Sequence, residues 1–208
     1  MKNFLVIDDH EIVRSGIKNI LSEFFKSCEI YEACDGESAI LQLKQRHFQL
    51  VIMDVQMPGT DALAMTEFIK TNSPQTAVLI FSMASENAYA KRFLKAGALG
   101  FVSKDAGLAE LKKAINLVLD NRKYLSPNLA EQLIDDLGRP EIINPFDKLS
   151  TREFEIASLL IKGTSIKEIS GMLSINNSTT GTYKSRIFEK LRVKNIIELS
   201  DADRIYNK

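Results

Sequence analysis

Cysteine is scarce in this chain, net charge is absent, and no apolar run approaches the length of a membrane span. Only Cys28 and Cys34 occur. On one extended strand about 20 Å would separate them, which excludes a disulfide, and so low a thiol content suits a reducing cytoplasm. A spanning helix needs roughly 20 consecutive apolar residues, and nothing here comes close. A secretory leader runs from basic to apolar, whereas this N-terminus turns acidic at Asp8. A cytoplasmic protein without a membrane partner is therefore expected. Neither an internal repeat nor a low-complexity tract is present, so the chain is not built as an array.

What is present is ordinary in bulk and uneven in detail. The 208 residues, 45% apolar and 26% charged, suffice for two modest domains, each with its own core. The net charge of zero hides a split. Residues 1–122 carry a net −1, residues 123–147 a net −3, and residues 148–208 a net +4. A nucleic-acid surface is thus to be sought at the C-terminus.

The first 122 residues alternate short apolar runs with amphipathic stretches. Strands are expected near 3–7, 28–33, 50–54, 77–82 and 100–103, and helices over 11–26, 36–46, 61–71, 85–96 and 107–121. Asp35-Gly36, Pro58-Gly59 and Ser73-Pro74 supply breaks, and Asp105 is a candidate cap for the last helix. Regular βα alternation implies a parallel sheet covered on both faces. From 123 to 147 the texture changes to a linker with one helix at 128–137, punctuated by Ser126-Pro127, Gly138-Arg139-Pro140 and Asn144-Pro145. Beyond it only helices fit, over 151–162, 166–173, 178–191 and 195–205.

Four of the apolar runs end on polar residues suited to phosphoryl chemistry. FLVI leads to Asp8 and Asp9, LVIM to Asp54, AVLIF to Ser82, and ALGFVS to Lys104. In an open parallel sheet, ligands bind beyond the carboxyl ends of the strands, so these side chains should meet in one crevice. Three carboxylates together repel, and a divalent cation with a taste for hard oxygen, magnesium, is the expected occupant. One carboxylate can then attack a phosphoryl donor. Asp54 is the candidate because it ends the third strand, expected at the centre of the sheet. Ser82 can donate to a phosphoryl oxygen and Lys104 can pair with its charge.

These residues resemble the receiver domain of two-component response regulators, through IDDH (7–10), MDVQMPG (53–59), FSM (81–83) and GFVSK (100–104). The resemblance implies a flavodoxin-like, doubly wound, five-stranded parallel sheet over 1–122. It implies that Asp8 and Asp9 hold Mg2+ with Asp54 and the backbone carbonyl of Gln56, and that a sensor histidine kinase phosphorylates Asp54. Ser82 and Lys104 then report the phosphoryl group, and Phe101 is the aromatic that turns inward on activation.

The C-terminal segment has helix-turn-helix texture. Ile166, Ile169 and Leu173 give one helix an apolar face, a polar break follows, and Asn177 or Ser178 can cap the next. In that next helix Thr180, Ile187 and Leu191, with the Lys184 stem, point inward, while Gly181, Thr182, Ser185 and Glu189 point outward among cations. Patterning alone leaves two readings open: major-groove docking, or a small helical bundle that binds a protein. LSTRE (149–153), IKEIS (166–170) and STTGTYKSRIFEKL (178–191) resemble the LuxR-type helix-turn-helix of the NarL/FixJ family. The resemblance implies a small all-α domain over 148–208 that binds double-stranded promoter DNA. The expected contact set is Thr179, Gly181, Thr182, Tyr183, Lys184, Ser185, Arg186 and Lys190. Gly181 departs from the family, where a longer side chain usually stands, and weaker or less selective DNA binding is expected from it.

The whole then reads as a response-regulator transcription factor, homodimeric when phosphorylated, and not an enzyme. A haloacid-dehalogenase-type phosphohydrolase would need an acid two residues after its nucleophile, and Gln56 cannot serve. A regulator acting through protein contacts without phosphorylation is the remaining alternative.

Overall fold

The computed structural model describes residues 2–136 and 144–206. The chain divides into two compact units, Met1–Arg139 and Pro140–Lys208.

In the first unit strands and helices alternate as the apolar runs require: β1 (Lys2–Ile7), α1 (Glu11–Phe24), β2 (Cys28–Ala33), α2 (Gly36–Gln45), β3 (Leu50–Met53), α3 (Ala62–Asn72), β4 (Ala77–Ser82), α4 (Glu86–Lys95), β5 (Gly100–Ser103) and α5 (Leu108–Leu119). All neighbouring strands pair in parallel, in the order β2-β1-β3-β4-β5. This is the flavodoxin-like doubly wound order, whose switch point lies between β1 and β3. The four residues of β3 are all buried, as befits a central strand with helices on both sides. On one face Phe4, Val6, Leu50, Ile52, Leu79 and Val102 pack against Ile17 and Leu21 of α1 and Leu111, Ala114, Ile115 and Val118 of α5. The alternate residues, Leu5, Ile7, Val51, Val78 and Ile80 among them, are equally buried on the other face, where α2, α3 and α4 pack side by side.

The turns follow from local chemistry. Asp35 caps α2 in a capping box with Ser38. Gly59 takes φ +70° in the turn before α3, a conformation that favours glycine. Asp105 does not cap α5: Gly107 holds that position without a side-chain bond, because α5 begins only at Leu108, beyond the reach of Asp105.

The stretch expected as a linker is partly built into the first unit. The Tyr124 amide donates to Leu99 O at 2.8 Å, and Tyr124 bridges Gly100 in parallel register. Glycine permits this approach, since a Cβ at Gly100 would lie 3.0 Å from Tyr124 Cβ. A sixth helix, α6 (Pro127–Asp136), follows and packs on α4 with Leu129 fully buried. The expected break at Gly138-Arg139-Pro140 lies outside the described residues.

Among the described residues the second unit holds a 3₁₀ turn (Pro145–Lys148) and four helices, α7 (Thr151–Ile161), α8 (Ile166–Met172), α9 (Asn177–Leu191) and α10 (Ile196–Tyr206). Capping boxes Ser150/Glu153 and Ser165/Glu168 start α7 and α8. Phe146, Phe154, Leu160, Ile169, Ile187 and Leu199 form its core. The N-cap of α9 is Asn176, one residue before the expected candidates, and it makes no side-chain cap bond. Among the described residues no helix is long and apolar enough to cross a membrane.

Candidate functional site

Beyond the carboxyl ends of β1, β3, β4 and β5 the polar residues of the sequence do converge. The Asp54 amide donates to Ile7 O at 2.9 Å, which fixes the residue immediately after β3 beside the end of β1. Its Oδ1 accepts from the Val55 amide at 2.6 Å, the Gln56 amide at 3.1 Å and the Ser82 hydroxyl at 2.5 Å. Its Oδ2 meets the Lys104 ammonium at 2.6 Å. Lys104 reaches in because its own amide donates to Ser82 O, continuing the β4–β5 ladder by one residue. The same ammonium lies 2.6 Å from Asp8 Oδ2. Asp8, Asp54 and Ser82 are buried, at 1%, 4% and 0% exposure, whereas Asp9 sits at the mouth.

Burial depresses the Lys104 ammonium, but its bonds to Asp54 and Asp8 outweigh that and hold it above the ordinary lysine value. Lys104 therefore stays cationic between two carboxylates. The ligand atoms of Asp8, Asp9, Asp54 and His10 all lie within 4.8 Å of one another. Three hard carboxylates at that spacing, only one of them at the mouth, fit a divalent cation. Phe101 is fully buried, its ring tilted against Phe93 of α4 at 6.5 Å between centroids.

Sequence reasoning did not assign two supports of the pocket. The His10 amide donates to Asp8 Oδ1 at 2.8 Å, and Arg14 of α1 donates to the Asp8 carbonyl at 2.8 Å. His10 had a signal, since it stands inside the IDDH motif. Arg14 had none, because its role appears only when α1 folds back along β1.

In the second unit α9 presents the expected faces. Thr180 and Ile187 are fully buried and Leu191 nearly so, with the Lys184 ammonium over the Phe188 ring at 5.3 Å. The Thr180 and Ser170 hydroxyls bond at 2.7 Å between α9 and α8, fixing the seat of one helix on the other. Ser178, Thr179, Thr182, Tyr183 and Arg186 line one shallow open groove on the exposed side; Ser178, read in sequence as a cap, belongs to that face. Ser185 is exposed, and a Cβ at Gly181 would meet nothing within 4 Å. Gly181 is the fifth residue of α9 and so lies beyond its first turn. Lys190 is turned away from the set expected of it: its ammonium bonds Glu153 at 2.5 Å and Lys148 O at 3.4 Å. The reason is helical geometry, since Lys190 lies one turn from the buried Ile187 and on the flank that meets α7.

Comparison with known proteins accords with both halves. Residues 4–116 match the response regulator receiver domain, and residues 147–202 match the bacterial regulatory proteins of the luxR family. Response regulator GacA of Pseudomonas protegens is 36% identical over 200 residues, 96% of this chain and 94% of that protein. Response regulator UvrY of Escherichia coli K12 is 33% identical over 201 residues, 96% of this chain and 92% of that protein. A solved complex of the two-component response regulator RcsB with DNA aligns over 97% of this chain and 96% of that one, at 25% identity and a TM-score of 0.59. The chain belongs to the NarL/FixJ response regulators, transcription regulators rather than enzymes, with an N-terminal receiver and a C-terminal LuxR-type DNA-binding domain.

Proposed function

We propose that this chain works in the cytoplasm, that Asp54 is the phosphoacceptor, that a cognate sensor histidine kinase is the donor, and that phosphorylation controls homodimerisation and binding to double-stranded promoter DNA. The observation that carries this is the set of bonds on Asp54. A buried carboxylate held by two backbone amides, a hydroxyl and an ammonium is oriented for attack and ringed by donors for the charge it will gain. An Asp54 oxygen attacks the phosphorus of a phosphohistidine. The P–N bond breaks, the imidazole leaves with its electron pair, and an acyl phosphate remains on Asp54.

Asp8, Asp9, Asp54 and the Gln56 carbonyl are the residues that would hold Mg2+, which supplies positive charge to offset the carboxylates and the incoming phosphoryl oxygens. Lys104 pairs with one phosphoryl oxygen and Ser82 donates to another. The inward ring of Phe101 is seated on Phe93 of α4, and the Ala84 amide just before α4 donates to the Ser82 hydroxyl, so both lead from the pocket to α4. Gly181, Thr182 and Ser185 stand at the base-facing positions, with Tyr183, Lys184 and Arg186 nearer the phosphates and Thr179 beside them.

Selection of genomic DNA fragments by the full-length protein tests the reading, with Mg2+ and beryllofluoride, with Mg2+ alone, and with Asp54→Asn. A paired, spaced motif enriched only by the wild type with the phosphoryl mimic is the expected result. Equal enrichment in all three would leave the DNA-binding domain in place and remove the phosphoryl switch.

A further inference from the structure

Helix α6 is docked on α4 by polar bonds at both helices' N-termini. The Ser126 hydroxyl donates to Glu86 at 2.7 Å and also accepts from the Leu129 amide at 3.1 Å, so one side chain caps α6 and ties it to the first residue of α4. Asn128 bonds Asn87 across the same seam at 3.1 Å, and Leu129 is fully buried beneath it. The start of α4 is in turn tied to the pocket. The Ala84 amide donates to Ser82 Oγ at 3.2 Å, the same hydroxyl that donates to Asp54, and Phe101 packs its inward ring on Phe93 further along α4.

We propose that α6 is a clasp on α4 whose grip is set by the phosphoryl pocket. The proposal rests on the reading of Asp54 as phosphoacceptor. Ser82 engaged on Asp54, Phe101 inside and α6 docked occur together in one arrangement, so drawing Ser82 more firmly onto a phosphoryl group tightens α6. Coupling of this kind is reciprocal: whatever loosens α6 must weaken phosphoryl binding by the same factor.

The test is amide hydrogen exchange of the full-length protein with Mg2+ alone and with Mg2+ plus beryllofluoride, combined with titration of the mimic into Glu86→Ala and Ser126→Ala. Both substitutions lie outside the pocket. Exchange over 127–136 is expected to slow about fivefold with the mimic, in step with 82–86, and each variant is expected to bind the mimic about fivefold more weakly, the low end of common coupling strengths. Glu86→Ala separates the clasp from helix stability, since it leaves the α6 cap intact. Slowing confined to 82–86, or wild-type affinity for the mimic in both variants, would overturn the clasp and leave the phosphoacceptor reading standing. No response anywhere would overturn both.

Discussion

Gly181 and Glu153 show how much one residue can decide in the second unit. Gly181 stands in the second turn of α9 with open space where a Cβ would be. Interior glycine destabilises a helix by about 0.5–1 kcal/mol relative to alanine, and serine lies between the two. Gly181→Ser should therefore raise the thermal midpoint of the second unit and tighten DNA binding, read by calorimetry and by fluorescence anisotropy on a selected site. Unchanged affinity with raised stability would mean that this position does not face the groove.

Glu153 is buried and accepts from the Ser150 amide and the Lys190 ammonium. Burial alone would push its carboxyl up, yet these partners outweigh it and hold it below the usual carboxylate range. A depressed folded pKa contributes stability that is full above the unfolded value, about 4.3, and is lost as pH falls through the folded value. The stability gap between wild type and Glu153→Gln should thus be largest near neutrality and shrink in acid, measured by urea unfolding across pH. A gap that stays constant down to pH 3 would assign the loss to packing.

At the scale of elements, strand ends were legible and seams between distant elements were not. FLVI-Asp-Asp, LVIM-Asp and ALGFVS-Lys carry their own meaning, because a buried parallel strand reads as an unbroken apolar run and its carboxyl end as the site. The inward stripe of α9 was equally legible from helical period. The Lys190–Glu153 pair, the Tyr124 bridge and the seat of α6 on α4 depend on which surfaces meet across 37, 24 and 40 residues of chain, and no local pattern encodes that. The Ser170–Thr180 pair is of the same kind. It is buried, and the Ser170 hydroxyl also donates to Ile166 O at 2.7 Å. Thr180→Val keeps the shape and removes the link between α8 and α9, at about 1–3 kcal/mol. DNA affinity should fall by more than stability alone explains at temperatures where the unit remains fully folded, because α9 loses its register on α8. Binding equal to wild type under those conditions would make the pair a stability feature only.

For the whole molecule, zero net charge means that little long-range attraction draws the chain to DNA. Binding must rest on the local excess of the second unit, and there the individual cations are not equivalent. Arg186 lies in the groove on the exposed side of α9, whereas Lys190 is committed to Glu153 and would have to break a part-buried ion pair before meeting a phosphate. Each phosphate contact contributes roughly 0.9 to the slope of log affinity against log salt. Arg186→Ala should lower that slope by about 0.9 and weaken binding similarly on all sequences. Lys190→Ala should leave the slope unchanged while lowering the stability of the second unit. A lowered slope in the lysine variant would show that its ammonium leaves Glu153 in the complex, so that binding DNA uncaps a contact at the start of α7 and the salt dependence then reports a rearrangement within the domain as well as its charge.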